Sequence, residues 1–164
     1  MRRFPIPILP AAVWITALAG CADHVTAPGT VDLPPRVANA PTVLTMGGAS
    51  VTLAASVWRD FMPGPGAPAG GSGLMVSARV TSANATPLPN DLAITSVWVV
   101  NGSQVWSTTA VENRRDSPTV QVGAAGDGPR WMTGVPVRVV IGLGIHNSFE
   151  RYLRVDSVPI GRTD

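Results

Sequence analysis

Groups able to do covalent or acid–base chemistry are scarce in this 164-residue chain, which holds one cysteine, Cys21, and two histidines, His24 and His146. A Ser-His-acid or Cys-His nucleophile needs its histidine on a rigid element, and only His146 lies in a stretch able to supply one. It stands in Ile145-His146-Asn147-Ser148, whose turn-favouring residues predict a solvated hairpin tip. Metal binding fares no better. With a single histidine and no cysteine after residue 24, only oxygen ligands remain, and no Asp-x-Asp-x-Asp-Gly calcium loop occurs. Gly123-Ala124-Ala125-Gly126-Asp127-Gly128 lacks the Gly-Lys-Ser/Thr ending of a phosphate loop, runs into Pro129 and opens no helix. The sequence therefore predicts no enzyme, no cofactor and no metal.

That leaves the thiol of Cys21. Arg2 and Arg3 precede an apolar run from Ile8 to Ala19 that ends in small residues, the layout of a secretory signal segment. A membrane span needs about 20 apolar residues, and Pro5, Pro7 and Pro10 each remove a helix donor. Residues 1–20 are thus expected to be cleaved. Leu18-Ala19-Gly20-Cys21 resembles the lipobox of bacterial lipoproteins at all four positions. The resemblance implies that the cysteine sulfur receives a diacylglycerol, that the chain is cut before Cys21 and that the new amine is acylated. It also implies an outer-membrane destination, because Ala22 rather than Asp directly follows the cysteine. Ordinary cleavage after Ala17-Leu18-Ala19 is the competing expectation, but a secreted chain seldom keeps one free thiol for no reason.

Loss of Arg2 and Arg3 changes the charge reading. Of 12 basic residues, all Arg, 10 remain against 10 acidic ones, so the mature chain is neutral. Arg114-Arg115 is its one basic pair, and the footprint of a nucleic-acid binder is missing. Charged residues make up 13% of the chain, against about 25% in an ordinary domain. Such a surface suits a protein held among neighbours. With Cys21 acylated no disulfide is possible, and stability must come from packing.

Residues 21–41 include Pro28, Pro34, Pro35 and Pro41 without periodicity and read as a tether that carries His24. Residues 42–164 read as one domain. Val51, Leu53, Ala55 and Val57 alternate with Ser50, Thr52, Ala54 and Ser56, and Leu74, Val76, Ala78 and Val80 repeat the pattern, the period of half-buried strands. Residues 63–73, drawn only from Pro, Gly, Ala and Ser, form a mobile surface loop between them. Asn101-Gly102 separates two runs rich in Val, Thr and Trp and predicts a two-residue hairpin turn that pairs Val100 with Ser103 and Val97 with Trp106. Trp98 and Trp106 then point to opposite faces, so one of them needs a cover outside the main core. Glu112 to Asp116 reads as a polar turn, Thr119 to Val122 as a short strand, Gly123 to Arg130 as a loop, Val135 to Leu143 as a strong strand and Glu150 to Ile160 as the last. About seven strands without a sustained helical period predict an all-β fold, an antiparallel β-sandwich. The arrangement is similar to immunoglobulin-like domains of bacterial envelope proteins, with Trp98 near the place of the core tryptophan, although both disulfide cysteines and a tyrosine corner are lacking.

What remains is surface. Trp58, Arg59 and Phe61 stand immediately before the mobile loop, and with Trp106 they are the candidate partner-binding residues, because aromatics and Arg anchor protein interfaces. Trp58 and Phe61 capping the open end of the fold is the structural alternative. The function expected is a non-catalytic, lipid-anchored envelope lipoprotein whose domain binds another envelope protein or a cell-wall component. A proteinase inhibitor or accessory subunit using loop 63–73 is a second reading. An envelope hydrolase built on His146 with Ser148 or a nearby acid is a third.

Overall fold

Val51, Leu53 and Val57 face inward from a single 12-residue strand, β2 (Ala49–Asp60), and Val76, Ala78 and Val80 do the same from its neighbour β3 (Met75–Ser82). The computed structural model describes residues 33–64, 68–145 and 150–164. The remaining strands are β1 (Val43–Met46), β4 (Ala93–Asn101), β5 (Gln104–Thr108), β6 (Glu112–Ser117), β7 (Val120–Ala125), β8 (Pro136–Gly144) and β9 (Arg151–Thr163), preceded by a one-turn helix, α1 (Pro35–Ala38). The all-β expectation holds. Residues 18–21, which carry the lipobox resemblance, and His24 and His146 lie outside the described residues.

Hydrogen bonding runs β5-β4-β8-β9-β2-β3-β7-β6, with β1 also on β2. All neighbours are antiparallel except β2 and β9, which pair parallel from Val57 with Ile160 to Asp60 with Thr163, so the sheet is mixed. It is also curled. β9 pairs with β8 from Arg151 to Pro159 and with β2 from Ile160 to Thr163, and within the β8-paired part Ser157 takes a left-handed φ of 58° at a register shift. A bulge of this kind bends a strand. The bend lets Val97, Val99, Val139 and Ile141 of one flank meet Val51, Val76 and Val80 of the other across one core.

The two ends of the curl are stitched by one side chain. Asn113 accepts a hydrogen bond from the Ile94 amide at 2.8 Å and donates to the Ile94 carbonyl at 2.9 Å, as a neighbouring strand would. Gln121, buried on the inner face of β7, donates to the same Asn113 oxygen at 3.2 Å.

Three expectations need correction. The hairpin turn is Gly102-Ser103, with Asn101 opposite Gln104, Val99 opposite Trp106 and Trp98 opposite Ser107. Only Gly102 takes a positive φ, 57°, the signature of a turn with glycine first rather than of Asn-Gly. The register moves by an even number of residues, so the two tryptophans still face opposite ways. Glu112–Ser117, read as a turn, is the edge strand β6, and β7 continues through Ala125. Charged edges discourage pairing with other chains, which suits β6 even though its residues carry no apolar alternation.

The third correction concerns residues 33–41, read as tether. Val37 and Ala40 are fully buried over Val140 on the outer face of the sheet, with Leu33, Trp98 and Tyr152 around them. Pro34 and Pro35 begin α1, where a missing amide proton costs nothing, and the Pro41 carbonyl accepts from the Arg154 amide at 2.9 Å. The cover that one hairpin tryptophan required is therefore supplied by this chain. Trp98 lies under α1 and not in the main core, whereas Trp106 packs against that core. Among the described residues no helix is long and apolar enough to cross a membrane.

Candidate functional site

The end of the curl where β2 finishes and β3 begins gathers the residues singled out from the sequence. Trp58 follows Val57, so by alternation it faces away from the core, opposite Met75 on β3. One step along, Ser77 stands opposite Ala124, and Ala124 opposite Glu112. Trp58, Met75, Ala124 and Glu112, with Ala110 and Val111 from the β5–β6 connection and Gly126 and Asp127 beyond β7, line a groove of about 540 Å³. Its walls are the Trp58 indole, the Met75 thioether and small apolar side chains, and its carboxylates are Glu112 and Asp127, both exposed.

Arg59 continues the alternation and points inward, where it is 6% exposed. Its guanidinium donates to the carbonyls of Ser72 at 2.9 Å, Trp131 at 3.0 Å and Gly70 at 2.5 Å. It therefore clamps the described end of loop 63–73 onto the 126–134 connection. Phe61 is half-buried between two cations, with the Arg59 and Arg162 guanidiniums 4.8 and 4.1 Å from its ring centroid. Residues 65–67 of the loop fall outside the described residues. Trp106 lies on the core side of Gly128, so close that a β-carbon there would sit 3.1 Å from the indole.

Of the four candidate residues, then, Trp58 reaches the groove, Arg59 and Phe61 brace the loop behind it, and Trp106 supports the segment that carries Asp127. Alternation had already placed Met75 opposite Val76 and hence outward. Glu112 and Asp127 carried no comparable signal, since their position depends on the β3-β7-β6 register.

A second polar cluster lies on the other flank. The Glu150 carboxylate accepts hydrogen bonds from the hydroxyls of Thr95, Ser96 (3.0 Å) and Tyr152 (2.5 Å). Gly142, paired with Tyr152, leaves the space that the carboxylate fills, and a β-carbon there would overlap it. Burial pushes the Glu150 carboxyl upward, but the three hydroxyl donors together outweigh it and hold the group below 4.5. The hydrogen bond to Glu150 is the main reason the Tyr152 phenol is pushed up from 10.0 to about 12. A phenol that ionises later in the folded state than in the unfolded one stabilises fully below pH 10 and loses that contribution as pH rises toward 12. The thermal midpoint should accordingly fall between pH 10 and 12, and Tyr152→Phe should flatten that limb. On the acid side Glu150 behaves oppositely, contributing above pH 4.5 and less as pH drops below it. An identical alkaline limb in Tyr152→Phe would refute the assignment. Among the described residues no group of three His, Cys, Asp or Glu is placed to hold a metal ion.

Comparison of the chain with family models, with curated proteins and with solved structures finds no match.

Proposed function

We propose that this chain is a lipid-anchored lipoprotein of the bacterial envelope, held in the outer membrane through Cys21, whose immunoglobulin-like domain binds another envelope component without catalysis. The observation that carries the binding role is the groove at Trp58. A large aromatic and a methionine stand half-exposed beside small residues on an outward sheet face, next to the loop base that Arg59 holds. Anchors of this type, desolvated in a pocket and held rigid, carry most of the energy in protein interfaces. The anchoring part rests on the lipobox resemblance. The immunoglobulin-like part is supported by two facing flanks of strands around one core.

In-cell crosslinking tests this reading. A defined partner should be captured by the lipidated protein and lost with Trp58→Ala, which removes the central anchor without touching the inward face of β2. Capture that is indifferent to Trp58 would remove the groove from the account. The clamp of Arg59 on Gly70 and Ser72 favours a second reading, because a loop held rigid at its base is preorganised for insertion into a target. A proteinase as the captured partner, with contacts through residues 63–73, would select the inhibitor reading.

A further inference from the structure

We infer that the groove at Trp58 takes an extended segment of a partner protein in which a cationic side chain stands beside an apolar one. The inference rests on the reading of this groove as the partner-binding face and adds the chemistry of the partner. Its basis is where the unspent negative charge lies. Among the described residues, Asp116 pairs with Arg79 and Arg114, Asp156 with Arg138 and Arg154, and Asp164 with Arg162. Asp60 accepts from the Met62 amide and the Thr163 hydroxyl, Glu150 from three hydroxyls, and Asp91 is also engaged. Among the described residues only Glu112 and Asp127 have no hydrogen-bonded or ionic partner for their carboxylates, and both line the groove, where no Arg accompanies them.

Two uncompensated carboxylates beside a Trp–Met wall form a surface complementary to a cation on an apolar body. Opposite potentials steer encounter and set register, while a guanidinium over the Trp58 ring would add a cation–π contact. The apolar neighbour fills the space between Met75, Val111 and Ala124. An anionic lipid surface or an acidic peptide would meet repulsion instead. Because the groove crosses the ends of β2, β3, β7 and β6 rather than forming a closed cavity, an extended chain suits it better than a compact small molecule.

The test uses the full mature chain in detergent micelles and three fluorescein-labelled hexapeptides, alternating leucine with arginine, leucine with glutamate, and serine with arginine. Anisotropy should give the leucine–arginine peptide at least tenfold tighter binding than either control. The double change Glu112→Gln, Asp127→Asn should weaken it about tenfold and remove most of its salt dependence, with an unchanged thermal midpoint, since both side chains are exposed. Equal binding of the leucine–glutamate peptide, or a double variant that binds as before, overturns the inference. The two readings fail separately. If in-cell capture still depends on Trp58 while the three peptides bind alike, the partner-binding face stands and the charge complementarity falls. If Trp58→Ala alters neither capture nor peptide binding, both fall. A concentration-dependent dimer dissolved by Trp58→Ala, with no peptide bound, assigns the groove to a second copy of the chain and likewise overturns the inference.

Discussion

Arg59→Met should destabilise the fold by roughly 3–5 kcal/mol and release the end of loop 63–73, although residue 59 touches neither the groove nor the middle of the core. Arg59 is 6% exposed, and among the described residues no carboxylate forms an ion pair with its guanidinium. Its charge is solvated by protein carbonyls, those of Gly70, Ser72 and Trp131, and by the face of Phe61. Methionine keeps most of the alkyl volume and deletes the donors, so the loss reports the three hydrogen bonds rather than a cavity. Buried acceptors left unpaired cost about 1–3 kcal/mol each, and partial hydration at the loop keeps the sum near the lower end. Arg59→Lys retains the charge but has no planar fork to reach three carbonyls at once, and should recover less than half of the loss. Urea unfolding measures the first effect. Hydrogen exchange at the Ser72 amide, which bonds the Asp60 carbonyl at 2.7 Å, measures the second. An unchanged midpoint together with unchanged exchange would reduce the clamp to a decoration.

Arg59 also illustrates what could be read in advance. Alternation through Val51, Leu53 and Val57 fixed which face of β2 is buried, and by the same period residue 59 belongs inside. The chemistry of arginine argued for the surface. Period won because three carbonyls waited where the guanidinium ends. β8 was legible for the reason β2 was, a long run of apolar residues at every second position. β6 was not, because Glu112–Ser117 has no buried face of its own, and it becomes a strand only by pairing with β7. The hairpin turn moved by one residue, which puts Trp106 opposite Val99 instead of Val97, and because both valines are buried Trp106 keeps the core face in either register. Residues 33–41 were opaque because one helical turn has no period to detect. Yet the need they meet was visible, since two tryptophans on opposite faces of one hairpin demand a second cover. In the groove, Trp58 could be named from the sequence because it stands out by type. Glu112 and Asp127 could not, since they are ordinary acids brought together by three strands in register.

Cys21→Ala should move the protein from the membrane fraction to the soluble fraction almost completely, the largest effect expected of any single change in this chain. Each acyl methylene transferred from water to the bilayer contributes about 0.8 kcal/mol, so that one chain binds reversibly and two already anchor stably. The diacylglycerol on sulfur and the acyl group on the new amine, both implied by the lipobox, would hold the domain essentially for good. Alanine cannot carry the thioether, and cleavage after Ala17-Leu18-Ala19 remains open to the variant, so a released and folded domain is the expected product. Folding should be unaffected, since the described contacts begin at Leu33. That starting point also limits the working range. The twelve residues Cys21 to Asp32 span at most about 40 Å when fully extended, so a domain anchored at Cys21 as proposed would present the Trp58 groove in the zone next to the bilayer. Fractionation with an alkaline wash, and mass measurement of the mature N-terminus, check the prediction. Retention of Cys21→Ala in the washed membranes, or an unmodified thiol on the wild-type protein, would break the link between this cysteine and the membrane and leave the groove as a feature of a freely diffusing domain.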